Sequence, residues 1–199
     1  MASITEQIKE LRTLTGAGVL DCRNALQHCE GDYEKACQYL RDKGLVAAQK
    51  KAEREANQGL VGSYIHTGSK MAALVEVNCE SDFVALTAEF QELGHDLAMQ
   101  VVATKARWVR PEDVPADVLE VEKESFRRQA LDEGKAERIV DQIVSGRLEK
   151  FYTQFCLTRQ PFIRDNDVII EDLVKQKIVK FGENIVIKRF VRLEVGETP

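Results

Sequence analysis

Glu76-Val77-Asn78-Cys79-Glu80-Ser81-Asp82-Phe83-Val84-Ala85 is the stretch at which the hydropathy of this chain changes period. Upstream, Met71, Ala73, Val75 and Val77 alternate with Ala72, Leu74 and Glu76, the period of two that marks a strand. Downstream, Phe90, Leu93, Leu97 and Val101 recur at three- and four-residue steps, which predicts a helix over roughly 87–104. An acid and a large aromatic, Asp82 and Phe83, stand side by side between the two. A strand-to-helix junction holds a side chain rigidly yet lets it project. Phe83 there is either folded back into the core or offered to a partner. Asp82 would equally serve as a first-turn charge favoured by the helix dipole.

Working outward, Val61, Ser63 and Ile65 alternate with Leu60, Gly62, Tyr64 and His66. The turn residues Thr67-Gly68-Ser69-Lys70 then lead into Met71, so the two runs predict a hairpin. Near the other end Ile185, Ile187, Val191, Leu193 and Val195 predict a third strand, paired with the hairpin in an antiparallel sheet. Between them the spacing predicts helices over 117–132, 136–154 and 168–181, with Pro111 and Pro115 framing one connection and Pro161 opening a loop. Residues 59–199 therefore read as an α+β body, a three-stranded antiparallel sheet with helices against one face.

Residues 1–44 are different. Ile4, Ile8 and Leu11 mark one helix, and Val19, Cys22, Ala25, Leu26 and Cys29 a second beyond Thr15-Gly16-Ala17-Gly18. Tyr33, Ala36, Cys37 and Leu40 mark a third, N-capped by Asp32 and stopping at Gly44. Three helices in so short a span resemble a bundle of the ubiquitin-associated type. One of the adjacent Val19 and Leu20 must face away from its core, as filler at the margin or as a partner contact. Residues 45–58, rich in Ala and charge, predict a helical linker. Lys50, Lys51 and Arg54 there either steer an acidic partner or are simply solvated.

The chain has 199 residues, 44% apolar and 31% charged, with a formal net charge of -5. That length supports a core without disulfides or metal, and the charge argues against direct nucleic-acid binding. No apolar run approaches the ~18 residues of a membrane span, and the first residues carry no signal or transit pattern. A cytoplasmic protein is expected. Cys22, Cys29, Cys37, Cys79 and Cys156 are odd in number and lack CxxC spacing, so reduced thiols are expected, not a metal site made with His28. No phosphate-loop, dinucleotide, zincin or serine-hydrolase motif is present. Cys79, His66 and Asp82 are the one set of groups worth testing as a thiol–base–acid site. Nothing in the sequence fixes their register, and the chain reads as non-enzymatic, without a cofactor.

Leu11-Arg12-Thr13-Leu14-Thr15-Gly16-Ala17-Gly18-Val19-Leu20-Asp21-Cys22-Arg23-Asn24-Ala25-Leu26 resembles the N-terminal signature of the translation elongation factor Ts family. Glu76 to Ala85 resembles that family's second signature. Ile143-Val144-Ser145-Gly146-Arg147-Leu148-Glu149-Lys150-Phe151-Tyr152 and Arg189-Phe190-Val191-Arg192 are similar to two further family stretches. Departures are small. Ser81 stands where the family usually has Thr, Val19 and Leu20 where it often has methionines, and Arg23 where it has Lys. Leu86 replaces a preferred basic residue and is the least explained.

The resemblance implies a guanine-nucleotide exchange factor for elongation factor Tu. It assigns Ser81, Asp82, Phe83 and Val84 to disturbing the Mg²⁺ site of that partner's G domain. It assigns Val19, Leu20, Arg23 and Lys51 to a second contact with the same domain. Longer family members carry two related core halves and a coiled coil. This chain matches one half, which implies a homodimer built on sheet or helix surface of the body, with Cys156 either at that interface or simply buried. The rival reading from the residues alone is a non-catalytic adaptor, a ubiquitin-associated-like bundle on an α+β body that binds another protein.

Overall fold

The computed structural model describes residues 3–197. In chain order they form α1 (Ile4–Thr15), α2 (Val19–His28), α3 (Tyr33–Lys51), β1 (Gln58–Ile65), β2 (Met71–Cys79), α4 (Asp82–Ala85), α5 (Ala88–Thr104), α6 (Ala116–Asp132), α7 (Glu137–Phe155), β3 (Pro161–Phe162), β4 (Asp165–Ile169), α8 (Ile170–Phe181) and β5 (Val186–Glu194). The class is α+β as expected. Strands β1, β2 and β5 make one sheet in that order, with β2 central. His66 N donates to Met71 O across the hairpin, and Val195 N donates to Lys70 O at the end of β5, both at 2.9 Å. Both neighbours of β2 therefore run antiparallel to it. Alternation along the strands puts Ala73, Val75, Val77 and Cys79 on the buried face. Val61, Ile65, Leu74, Val191 and Leu193 are exposed, and Arg189 on β5 pairs with Glu76 on β2 at 2.7 Å.

The fold divides into two units. One comprises Met1–Leu60, Val77–Gln91 and Asp172–Ile187. Local chemistry fixes the ends of the first helix of its bundle. Ser3 and Glu6 close a reciprocal capping box on α1, and Gly16, at φ 69°, ends that helix. Leu11, Cys22, Ala25, Leu26, Ala36, Cys37 and Leu40 form the core, with Ile8, Ala17, Cys29, Tyr33 and Tyr39 packed around it. Of the residues whose three- and four-residue spacing predicts the three helices, Ile4 and Val19 stand exposed, and the others lie in or against this core.

One boundary differs from the sequence reading. The third helix does not stop at Gly44 but runs on to Lys51, so the helical part of 45–58 is the tail of α3 and residues 52–57 are not helical. Gly44 is there for closeness, not for termination. A Cβ at that position would lie 3.1 Å from Val179 Cγ2 of α8, and one at Gly16 would lie 3.2 Å from Lys180 Cβ. Two glycines thus let α8 settle against the bundle.

The second unit comprises Val61–Glu76, Glu92–Glu171 and Lys188–Pro199. Here α6 and α7 form a helical hairpin whose inner residues Ala130, Val140 and Val144 pack with Phe126, Ile143 and Leu148. At its base Val114, Phe151 and Cys156 gather Trp108, Val118, Leu119, Phe126, Tyr152 and Phe155. The other departure from expectation lies here. Val168 and Ile169 belong to β4, which pairs antiparallel with β3, and the helix starts only at Ile170. A two-residue strand is too short to show a period. The buried Gln100 side chain is what supports it, donating to Pro161 O at 3.0 Å and accepting from Ile163 N at 2.9 Å.

Candidate partner-binding site

The chain leaving β2 turns sharply into α4, a single four-residue helix. Ser81 is its N-cap, in extended conformation, and its Oγ accepts from Val84 N. The same hydroxyl donates to Glu183 Oε1 at 2.6 Å. Glu183 Oε2 accepts from Glu80 N at 3.1 Å and from Ser81 N at 3.0 Å. One carboxylate from the residue after Gly182 thus gathers three donors on the stretch just before the short helix, the charge-assisted kind of hydrogen bond that is strongest. Thr87 closes the other side, its hydroxyl donating to Val84 O at 2.8 Å and accepting from Phe90 N at the start of α5.

On this fixed turn Ala85 is buried and Val84 half-buried, while Asp82 is exposed. Phe83 is 87% exposed, so the aromatic is not folded back into the core. Leu86, three residues on and therefore on the same side of the turn, is 74% exposed. Two large apolar side chains thus stand in solvent together on this turn.

The rest of the network runs through Glu80 and Asn184. Glu80 Oε1 accepts from Asn184 N at 2.6 Å and lies 3.6 Å from Arg54 Nη1. The buried Asn184 side chain donates to Ala52 O at 3.3 Å and Arg54 O at 2.7 Å, just beyond the end of α3. Lys51 at that end has its ammonium 3.8 Å from where a Cβ on Gly182 would sit. On α2, Val19 and Leu20 are both exposed, at 51% and 65%, where the sequence required only one of them to face outward. Arg23 is exposed one turn on, and Asp21 pairs with Lys43 at 3.0 Å.

Ser81 to Val84 are therefore brought together on one turn, Val19, Leu20 and Arg23 on one helix start, and Lys51 beside Gly182. Sequence reading missed Glu183, Glu80 and Asn184. Glu80 lies within the second signature but its role does not show there, and no local pattern marks Glu183 or Asn184, because the bonds that matter span more than 100 residues of chain.

Cys79 and His66 of the candidate thiol set each have another partner. The buried Cys79 thiol donates to Ser81 O at 3.2 Å, and burial, then the Glu183 charge, push it above its ordinary pKa. His66 Nδ1 is engaged by the Tyr64 hydroxyl at 3.0 Å. Among the described residues no group of three or more His, Cys, Asp or Glu is placed to hold a metal ion. No described helix is long and apolar enough to cross a membrane.

Comparison with known proteins agrees with the two signatures. A model of the family described as Elongation factor TS matches residues 22–197. Elongation factor Ts of Moorella thermoacetica is 55% identical over 190 residues, 96% of this chain and 94% of that protein. That of Carboxydothermus hydrogenoformans is 53% identical over 193 residues, 97% and 89% of the two chains. That of Caldanaerobacter subterraneus is 54% identical over 192 residues, 96% of each. With a family match over most of its length and relatives at this identity, the chain belongs to the elongation factor Ts family of translation elongation factors.

Proposed function

We propose that this protein promotes GDP release from elongation factor Tu by pressing the Asp82–Phe83 turn into the partner's G domain beside the bound Mg²⁺. The observation that carries the reading is Phe83, almost wholly exposed on a turn tied down on both sides. GDP is held largely through its phosphates, and Mg²⁺ neutralises them. A bulky aromatic wedged between the elements that hold the cation's shell displaces that shell, and the Asp82 carboxylate perturbs its water ligands. The diphosphate is left under-neutralised and leaves faster. Binding coupling is reciprocal, so nucleotide that rebinds weakens the grip of the exchange factor in turn. No bond is made or broken on this chain.

Val19, Leu20, Arg23 and Lys51 supply a second contact with the G domain in this reading, with 1–44, 45–58 and 59–199 acting as bundle, connector and body. The exposed apolar residues Val61, Ile65, Leu74, Val191 and Leu193 on one sheet face support a homodimer formed face to face through the sheet.

The test is release of a fluorescent GDP from elongation factor Tu by catalytic amounts of wild type, Phe83→Ala and Asp82→Ala. Wild type accelerates release, and Phe83→Ala loses at least roughly tenfold of that acceleration while melting unchanged. Equal rates from all three proteins would shift the work to other contacts. No acceleration by folded wild type would leave the adaptor reading in its place.

A further inference from the structure

We propose that Glu183 is a positioning residue that sets the Phe83 turn, and that Asn184 beside it binds the same turn to the segment leaving α3. The inference rests on the exchange reading for its consequence but not for its geometry. A four-residue helix has too few internal hydrogen bonds to hold its own orientation. Its exposed residues, Asp82 and Phe83, and Leu86 just after it contribute little packing to fix it. What restrains the turn is therefore its ties to the rest of the fold, Thr87 after it and the Glu183 anchor before it. The Glu183 carboxylate accepts from two consecutive backbone amides and from the capping hydroxyl. Glu80 returns the link by accepting from Asn184 N. Each of residues 80 and 183–184 thus holds the other's backbone, an arrangement that resists rotation where a single bond would not.

Asn184 extends the anchor. Its amide donates to Ala52 O and Arg54 O, and Lys51 Nζ lies near Gly182. Residues 51–54, 80–81 and 182–184 make one polar knot. Lys51 belongs to the proposed bundle contact and Phe83 to the proposed wedge. The knot sets the spacing between them before any partner arrives, so binding need not spend free energy on ordering it. The two members have separable tasks. Glu183 orients the wedge and so governs how fast nucleotide leaves the bound partner. Asn184 sets the spacing of the two contacts and so governs how tightly the partner is held.

Glu183→Ala, Glu183→Gln and Asn184→Ala would be measured in two ways. Amide hydrogen exchange reads the anchor directly, and fluorescent-GDP release at increasing factor concentration separates saturating rate from half-saturation. Glu183→Ala is expected to speed exchange at residues 80–86 by roughly tenfold or more, with α5 still protected. It is expected to lower the saturating rate with half-saturation little changed. In a Phe83→Ala background it should cost nothing further. Glu183→Gln keeps one acceptor oxygen for three donors, so it should show a smaller but measurable speeding of exchange at 80–86, and that difference from wild type carries the test if the Ala variant does not fold. Asn184→Ala should loosen 52–57 and raise half-saturation, leaving the saturating rate.

The proposal is overturned if residues 80–86 exchange alike in wild type and Glu183→Ala. Losses that multiply in the Phe83→Ala background would also overturn it, as would an identical effect of both residues on rate and affinity. If folded wild type releases no GDP, the exchange reading fails, and the anchor stands or falls on hydrogen exchange alone.

Discussion

Gly62 on β1 and Gly94 on α5 meet backbone to backbone. A Cβ built on Gly62 would lie 2.2 Å from Gly94 O and 2.7 Å from Gly94 Cα. No side-chain motion relieves a clash with a carbonyl, so strand and helix must separate if Gly62 is replaced.

Gly62→Ala is accordingly expected to cost about 2–4 kcal/mol of folding stability. The matched control is Gly146→Ala on α7, where an added methyl meets nothing within 4 Å. That change should stabilise by about 0.5–1 kcal/mol through helix propensity alone. Denaturant melts of both variants check the pair, and equal effects of the two would contradict the close approach.

Acid sensitivity should centre on Glu194. Hydrogen bonds from Arg192, then from Lys105, hold its carboxyl at about 2, down from an ordinary 4.5. A lowered folded-state pKa adds stability above the ordinary value, and that stability is lost as pH falls from 4.5 toward 2. Glu194→Gln should therefore melt below wild type at neutral pH, and the gap should close as the pH is lowered through that window. A gap of constant size would mean that the ion pairs at 3.0 Å to Lys105 and across to Arg192 contribute nothing.

Thiol chemistry should be graded by burial. Cys156 is fully buried, and burial, then Asp113 and Glu112, push its thiol up to about 11. Cys22 is also pushed up, chiefly by burial, and Cys37 is buried within the bundle core. Cys29 is only half-buried. Titration with a chromogenic disulfide at mildly alkaline pH should modify Cys29 first, the other four reacting only on unfolding. Fast loss of Cys156 in the native protein would contradict its placement in the aromatic base of the helical hairpin.

The apolar sheet face gives a prediction about association. Val191→Lys or Leu74→Lys places charge among residues already in solvent, so the fold should survive with its melting temperature within a few degrees. If the face is the dimer surface, either change shifts the protein to monomer in sedimentation, because a C2 interface carries each substitution twice. A dimer untouched by both would move the interface elsewhere.

Much of the fold was legible because periodicity reports which face is buried, and burial decides structure here. Met71 to Val77 alternate and form the central strand; Leu11, Leu26 and Leu40 recur at helical steps and meet in one core. What escaped was set by distant partners. Gly44 reads as a stop, yet Val179 on α8 explains it as a point of close approach. The short strand Pro161–Phe162 is held by Gln100, which bonds Pro161 O and Ile163 N on either side of it. Phe83 could be recognised by its signature, but its exposure could not be inferred from spacing. Glu183, 102 residues from Ser81, could not be found at all without the fold.

The continuity of α3 carries a lesson for how this chain can drift. A rod of 19 residues from Tyr33 to Lys51 is about 28 Å long. Each residue added or removed inside it turns everything beyond by about 100°. Lys51 would swing away from Gly182, and Ala52 and Arg54 would no longer present their carbonyls to Asn184. Length changes in this segment are therefore tolerated only in near-whole turns. The loop at Gly31, where an added methyl would meet nothing within 4 Å, sets no such phase and is where insertions can accumulate.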